Sequence, residues 1–367
     1  MKSTQTFDIS HSCLLDATGQ LTDSCPTSIS AEHLRQAYAT MVLIRAFDQK
    51  AIALQRTGKL GTYPSILGQE AISTAIGMTM QADDVFVPYY RDQAAQYLRG
   101  VSLTEILLYW GGDERGSNYA SPKCAQDMPV CVPIATQYCH AAGIATAMKI
   151  RAEKRAVVVT CGDGATSKGD FLESLNLAGT WHLPMVMVVN NNQWAISTPR
   201  AKQCNAQTLA QKAIGAGVQG LVVDGNDYVG MAYELQKALS RAHAGKGPTL
   251  IEATSYRLGD HTTADDASRY RPAQELKAAW EKEPIKRLRH YLQTTGLWTD
   301  ADEQALLLQV KADIDQVVAD YTSIAADAPE SMFTYLFEEL PSARLNQYQQ
   351  VANAAASRAV GGGSHHE

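Results

Sequence analysis

The fold is decided by residues 157–197, which read VVVTCGDGATSKGDFLESLNLAGTWHLPMVMVVNNNQWAIS. Two apolar runs, 156–161 and 185–189, flank a segment that predicts a helix from about 171 to 181. Parallel strands need such a crossover because a tight turn cannot join them. Neither run alternates with polar residues, which is typical of strands covered on both faces. The stretch therefore predicts an α/β fold built on a mainly parallel sheet flanked by helices.

Polar and glycine residues follow both predicted strands. Gly162 and Gly164 allow the chain to turn sharply, and the following helix offers free N–H groups to a phosphate. Asp163 follows the first strand, Asn192 follows the second, and the main-chain carbonyl of Trp194 comes just beyond. Magnesium prefers such oxygen ligands and usually keeps substrate phosphate in its shell. Because ligands of open α/β sheets bind outside the carboxyl ends of strands, the pattern predicts a magnesium and diphosphate site there.

The spacing of these motifs strengthens the evidence for a ligand site. A lone Gly-Asp-Gly is most often only a turn, and an asparagine cluster is usually a loop. Asp163 and Asn192 are separated by 192 − 163 = 29 positions. That combination resembles the fingerprint of thiamine-diphosphate enzymes, in which Asn-Asn follows Gly-Asp-Gly after about 25 to 30 residues. The resemblance implies the thiamine-diphosphate-binding fold, with Gly162, Gly164 and Ala165 against the cofactor.

Over about residues 30–350 the chain resembles the alpha subunit of the decarboxylating first component of 2-oxo acid dehydrogenase complexes. The resemblance implies that Tyr90 and Arg91 hold the cofactor diphosphate and that Ile134 props the cofactor in its bent shape. It also implies that His261 contacts the diphosphate and is the catalytic residue of reductive acyl transfer. Arg257 matches the arginine of the same loop, and the resemblance implies that it is a further cofactor-binding residue.

Simpler interpretations of these residues stay open. An isolated Tyr-Arg pair more often forms a salt bridge beside a half-buried ring, and Ile134 could be an ordinary core residue. His261 could be a solvated loop histidine. Two positions depart from the family: Asp260 replaces a His or Gly, and Thr262 replaces a serine that is phosphorylated in mitochondrial relatives. Kinase control is therefore not implied.

The resemblance also implies cofactors, partners and a reaction. Thiamine diphosphate and magnesium would support decarboxylation of a 2-oxo acid, with acyl transfer to lipoamide on a lipoyl-bearing acyltransferase component. The glutamate that activates the cofactor belongs to a separate beta subunit in this split family. We therefore expect an active site that forms only at an interface of alpha and beta subunits, in an α2β2 heterotetramer.

The substrate is harder to predict than the reaction. Tyr89, beside the Tyr-Arg pair, would narrow the substrate pocket and favours pyruvate. The stretches NNQWAISTP and HTTADDASRYR are at least as close to the branched-chain version, and acetoin cleavage uses the same framework. A non-catalytic α/β scaffold is the alternative of another class. A nucleotide site is not indicated, because the Gly-Asp-Gly turn lacks a following Gly-Lys-Ser/Thr and the glycine spacing of a dinucleotide site.

Composition limits the other classes of function. The 367 residues are 45% hydrophobic and 19% charged, with a net charge of −6, which favours neither nucleic acid nor an anionic membrane as partner. No apolar run reaches the length of a membrane span, and no secretory or mitochondrial leader is visible, so we expect a cytoplasmic protein. Seven cysteines without a Cys-x-x-Cys pair favour reduced thiols.

The domain organisation is expected to have four parts: an extended N-terminal arm (1–30), the cofactor-binding α/β domain (31–272), a helical C-terminal region (273–353) and a linker and tag remnant (361–367). Ser30 should cap a helix over 31–55. Further helices are predicted near 70–80, from about 135, and near 228–244, 273–282, 284–292, 300–321 and 332–340. Further strands are predicted at 85–87 and 249–257, and a strand followed by a turn at 221–227.

Overall fold

The computed structural model of the chain describes residues 7–23, 25–334 and 336–361. One compact unit ends at Val318, and a second begins at Ala319. The proposed linker and tag remnant lies outside the described residues, apart from residue 361. Among the helices that are described, none is both long enough and apolar enough to cross a membrane.

A six-stranded sheet forms the centre of the first unit. The strands of the chain are β1 (Ser10–Ser12), β2 (Val85–Val87), β3 (Val157–Gly162), β4 (Met185–Asn191), β5 (Trp194–Ala195), β6 (Thr198–Pro199), β7 (Gln219–Asp224) and β8 (Thr249–Thr254). The large sheet has the order β1-β7-β8-β4-β3-β2, and each neighbouring pair is parallel. β5 and β6 form a small antiparallel ribbon. The predicted α/β class with a parallel sheet is confirmed.

Helices connect and cover the strands. The α-helices are α1 (Ala31–Arg56), α2 (Glu70–Thr79), α3 (Gln93–Arg99), α4 (Leu103–Gly111), α5 (Thr136–Ile150), α6 (Gly169–Thr180), α7 (Arg200–Gln203), α8 (Lys212–Gly215), α9 (Tyr228–His243), α10 (Ala273–Trp280), α11 (Pro284–Thr294), α12 (Asp300–Ser323) and α13 (Ser342–Gly361). Short 3-10 helices occupy Glu114–Ser117, Pro122–Cys124, Asp163–Ser167, Leu209–Gln211, Ala267–Arg269 and Pro329–Phe333. The Ser30 side chain accepts a hydrogen bond from the His33 amide, so the predicted cap of α1 is present.

Both faces of the sheet are covered, as the uninterrupted apolar runs predict. Alternate residues of β4 enter two separate cores, with Val186 and Val188 in one and Met187 and Val189 in the other. The first core includes residues of α1, α2, α9 and α11, and the second includes residues of α5 and α6. Burial of apolar side chains on two faces stabilises strands that have no solvated side.

One predicted helix is wrong, and three short strands, β1, β5 and β6, were not predicted. The described residues of the segment 332–340 end a 3-10 helix at Phe333 and then form turns, bends and irregular structure at 334 and 336–340. Aromatic residues lose side-chain freedom in a helix, and Leu336 and Phe337 are exposed, so they lack a packing surface that would compensate. Within the arm predicted as extended, β1 pairs with β7 because Asp227 accepts hydrogen bonds from the Leu14 and Leu15 amides.

Candidate active site

The carboxyl ends of four adjacent strands bring the candidate residues together. β8, β4, β3 and β2 lie side by side in the sheet. Gly162 at the end of β3 pairs with Asn190 of β4, so the segments that carry Asp163 and Asn192 leave the sheet next to each other. The segment with Tyr90 follows β2, and the loop with His261 follows β8. The sequence motifs therefore meet at one edge of the sheet.

A cavity of about 230 Å³ lies at this edge. Ten of the eleven residues predicted to hold the cofactor or the metal line it, and Arg257 does not; the ten are Tyr90, Arg91, Ile134, Gly162, Asp163, Gly164, Ala165, Asn192, Trp194 and His261. The wall also includes Tyr89, Gln137 and Cys161. Among the described residues of the lining there is no glutamate.

Asp163 carries a buried carboxylate with an unsatisfied oxygen. The residue is 1% exposed, and its Oδ2 has no hydrogen-bond partner in the described part of the chain. Burial raises the pKa of Asp163 to about 6, while Arg257, Arg200 and Arg91 act in the opposite direction. An unpaired buried carboxylate is costly, so this position fits a cation that the chain itself does not supply.

Asn192 is oriented by a neighbour that the sequence did not point to. Its Nδ2 donates to Oε1 of the fully buried Gln69 at 2.9 Å, which fixes the direction of the amide. Within the described residues, Oδ1 accepts a single hydrogen bond, from the Trp194 amide at 3.2 Å. The Trp194 carbonyl likewise accepts one there, from Arg257 Nη1 at 3.1 Å. Both oxygens retain a lone pair for a metal ion.

Arg91 and Arg257 are buried guanidinium groups without an acidic partner in the described part of the chain. Arg91 is buried, and it donates to the Ser65 carbonyl at 2.5 Å and the His261 carbonyl at 2.6 Å. Its Nη2 also lies 3.0 Å from His261 Nδ1. Among the described residues neither Arg91 nor Arg257 has a salt bridge. Two buried guanidinium groups without a bound carboxylate are suited to a polyanion.

The environment of His261 sets its protonation state. Burial, with the charges of Arg91 and Arg257, lowers its pKa to about 3, so the imidazole is neutral at pH 7. An arginine can only donate, so Nδ1 beside Arg91 must be the acceptor nitrogen. The proton of the neutral ring is then on Nε2. His261 therefore offers a hydrogen-bond donor from Nε2.

Arg257 lies behind the cavity and holds its backbone. Besides the Trp194 carbonyl, it donates to the Ile196 carbonyl at 3.0 Å and to Tyr270 Oη at 2.6 Å. Ile196 has a φ of 55° and Gln193 has a φ of 71°, which are strained values for side chains of this size. Arg257 therefore stabilises the turn that presents the Trp194 carbonyl.

Two glycines fit the turn for different reasons. A Cβ on Gly164 would lie 2.8 Å from Ala195 Cβ, so the turn and β5 approach too closely for a side chain. The atom nearest to a Cβ on Gly162 would be in the Tyr89 ring, 4.0 Å away. Because Gly162 has no side chain, this space in the cavity wall stays free. The turn can thus accept a ligand against its backbone.

The mouth of the cavity is apolar. Ile134 is 42% exposed, and Val132 and Ile196 are exposed beside it. The exposure of Ile134 excludes its interpretation as an ordinary core residue of this chain, although its contact with a cofactor stays a prediction. Exposed aliphatic side chains around a cavity are typical of a binding surface.

Below the cavity, buried polar contacts support the segment with Tyr90. Asp92 Oδ2 accepts hydrogen bonds from the Tyr89 amide at 3.1 Å and from Thr160 Oγ1. Tyr89 Oη accepts a hydrogen bond from Asn190 Nδ2 at 2.8 Å. Sequence reasoning did not single out Asp92, Thr160 or Gln69. Their only sequence signal was a polar residue inside or next to an apolar segment.

Comparison with known proteins agrees with this geometry. Residues 38–330 match the family model described as dehydrogenase E1 component. The chain is 37% identical over 339 residues to the pyruvate dehydrogenase E1 component subunit alpha of Staphylococcus aureus, covering 92% of this chain and 91% of that protein. It is 36% identical, with the same coverage, to the protein of that name from Staphylococcus epidermidis. The chain therefore belongs to the dehydrogenase E1 component family, as an alpha subunit of the thiamine-diphosphate-dependent 2-oxo acid dehydrogenases that its motifs resemble.

Proposed function

We propose that the cavity holds thiamine diphosphate together with magnesium, and that the chain is the alpha subunit of a pyruvate dehydrogenase first component. The proposal is carried by the charges of Asp163 and Arg91, which both line the cavity. Asp163 Oδ2 has no hydrogen-bond partner in the described part of the chain, and Arg91 forms no salt bridge there. A divalent cation would compensate the first charge, and a diphosphate would compensate the second.

The oxygen donors fit magnesium. Asp163 Oδ2, Asn192 Oδ1 and the Trp194 carbonyl are hard ligands of the type that magnesium prefers, with diphosphate and water completing its shell. Arg91 and His261 would bind the diphosphate, with Tyr90 beside them at a ring distance of 6.2 Å from His261. The roles of Gly162, Gly164 and Ala165 against the diphosphate, and of Ile134 against the thiazolium, follow from the resemblance and from their place in the lining.

The chain contributes position and charge rather than the reactive group. Thiamine diphosphate, when bound, supplies the nucleophilic carbon and the electron sink for decarboxylation. His261 is neutral and carries its proton on Nε2, so it can donate a hydrogen bond to an oxygen of the substrate or to a sulfur of the incoming lipoamide. Arg91 keeps the ring in this tautomer, because protonation of Nδ1 would place two donors face to face.

A second subunit completes the site in this proposal. The described lining contains no glutamate to activate the cofactor, and the cavity mouth has the exposed apolar residues Val132, Ile134 and Ile196. Both observations support a beta subunit that covers the mouth and supplies the glutamate, in an α2β2 heterotetramer. The acyl group would then pass to lipoamide on the acyltransferase component. The cytoplasmic location predicted from the sequence is part of the same proposal.

Pyruvate is the proposed substrate. The names of the staphylococcal relatives and the ring of Tyr89 in the cavity wall support it. The branched-chain alternative rests on the stretches NNQWAISTP and HTTADDASRYR. The second stretch contains His261, whose backbone amide donates a hydrogen bond to Asp265 at 2.8 Å. One methylene in a pocket changes binding by only about 1 to 3 kcal/mol, so the two substrates must be compared directly.

Calorimetric titration tests the proposal. Thiamine diphosphate with magnesium is titrated into the chain alone and into the chain co-expressed with its candidate beta subunit, with Asp163→Ala as the control variant. We expect binding that requires magnesium, tightens with the partner and is lost in the variant. Turnover of pyruvate against 3-methyl-2-oxobutanoate then identifies the substrate. An assembled pair without magnesium-dependent binding would contradict the proposal and favour the scaffold.

A further inference from the structure

A second cavity lies at the opposite end of the sheet. Gln219 and Thr249, which line it, are the first residues of β7 and β8 and pair with each other. The active-site cavity instead lies where the strands end. The second cavity has a volume of about 480 Å³, and its other wall is the C-terminal half of α9. The two cavities share none of their lining residues.

Basic side chains predominate in this second cavity. Lys237, Arg241 and Lys246 line it, and the one acidic residue in its described lining is Glu234. Glu234 is already paired with Lys237 at 2.8 Å. Arg241 and Lys246 have no salt bridge in the part of the chain that the structure describes. The half-buried guanidinium of Arg241 and the exposed ammonium of Lys246 therefore remain available to a ligand.

Buried polar atoms in the wall also lack partners. Thr249 is 2% exposed, and its Oγ1 makes no hydrogen bond within the described residues. Arg241 Nε is likewise buried and without a hydrogen-bond partner there. Cations at a helix C-terminus interact favourably with the helix dipole, which would explain the positions of Arg241 and Lys246. That explanation does not account for a buried hydroxyl without a partner in the same wall.

The connection between α9 and β8 brings these groups together. The Lys246 amide donates to the Arg241 carbonyl at 3.0 Å, and the Gly245 amide donates to the Ala242 carbonyl at 2.9 Å. Gly245 and Gly247 have φ values of 67° and 89°, which permit the tight turn. The arrangement is fixed by backbone hydrogen bonds rather than by the charged side chains themselves.

We propose that this cavity binds the phosphate group of a small phosphate ester. Arg241 and Lys246 would contact the phosphate oxygens, and Thr249 Oγ1 would donate to one of them. The volume exceeds the need of a phosphate alone, and the half-buried ring of Tyr233 with Leu221 forms an apolar wall for the organic part of the ester. The site does not depend on the thiamine assignment.

Calorimetric titration of the full chain with inorganic phosphate and with phenyl phosphate tests the proposal. Phenyl phosphate should bind about three- to tenfold more tightly, as expected of one ring contact with Tyr233. Arg241→Gln should weaken both ligands about tenfold or more, and Thr249→Val should weaken them less. Equal affinity of the two ligands would restrict the site to inorganic phosphate and overturn the ester.

Arg56→Gln is the matched control, because Arg56 lies in the last turn of α1 as Arg241 lies in the last turn of α9. It should leave binding unchanged. If the active-site arginines bind the phosphate instead, binding would be lost in Arg91→Gln and retained in Arg241→Gln, and that result would overturn the proposal. Absence of phosphate binding, or binding that survives both Arg241→Gln and Thr249→Val, overturns the proposal. If Arg241→Gln does not fold, Thr249→Val alone decides between these outcomes.

Discussion

Replacing Asp163 with asparagine should stabilise the cofactor-free chain and abolish its response to magnesium. Burial raises the pKa of Asp163 from 3.8 to about 6. One pKa unit corresponds to 1.36 kcal/mol, so the ionised carboxylate destabilises the folded state at neutral pH by up to about 3 kcal/mol. An asparagine side chain carries no charge and avoids this cost. With an unfolding entropy typical of a unit of this size, that gain raises the melting temperature by about 4 °C.

Thermal unfolding followed by circular dichroism at pH 8 measures the effect. In EDTA, Asp163→Asn should melt above the wild type; with thiamine diphosphate and magnesium, only the wild type should gain stability. Asp48→Asn is the matched control, because burial also raises the pKa of Asp48 to about 6. Asp48 accepts hydrogen bonds from Ser65 Oγ at 2.5 Å and the Ile66 amide at 3.0 Å, so its replacement should destabilise. A melting temperature of Asp163→Asn equal to or below that of the wild type in EDTA would refute the reasoning.

Three further predictions concern the same cavity. In Arg257→Lys, the lysine cannot donate to both the Trp194 and the Ile196 carbonyls. The dissociation constant of magnesium, measured by calorimetry, should therefore rise about tenfold. A role of Arg257 in binding the diphosphate alone would leave this constant unchanged. Gly164→Ala places a Cβ 2.8 Å from that of Ala195 and should weaken cofactor binding without lowering the melting temperature of the free chain by more than a few degrees. Burial raises the pKa of Asp92 to about 7, above its unfolded value of 3.8, so its ionisation destabilises the folded chain as the pH rises. Between pH 4 and pH 7, the free energy of unfolding of the wild type in urea should therefore fall by up to about 4 kcal/mol relative to that of Asp92→Asn. Parallel pH profiles of the two proteins would contradict this.

Local patterns were sufficient for much of the fold. The apolar runs of β3 and β4 and the helix between them depend on residues close in the chain, so their type and order followed from the sequence. The same holds for α1, whose Ser30 cap is a local contact. The candidate residues Asp163 and Asn192 were recognisable because each directly follows a buried strand.

Features that depend on distant partners could not be predicted in this way. The contact of Gln69 with Asn192 joins residues that are 123 positions apart, and β1 exists because it pairs with β7. Arg257 was assigned to cofactor binding by resemblance, whereas its position behind the cavity follows from the course of the 194–196 turn. The segment 332–340 was predicted as a helix because apolar residues indicate packing, but the pattern alone does not show what they pack against.

The short outer strands of the sheet have a consequence for how this chain associates. β1 and β2 each contain three residues, and they are the two edges of the six-stranded sheet. An edge strand of that length exposes few free amide and carbonyl groups to pair with another chain. Association through strand addition, the usual route to ordered aggregates, is thereby disfavoured at both described edges of the sheet.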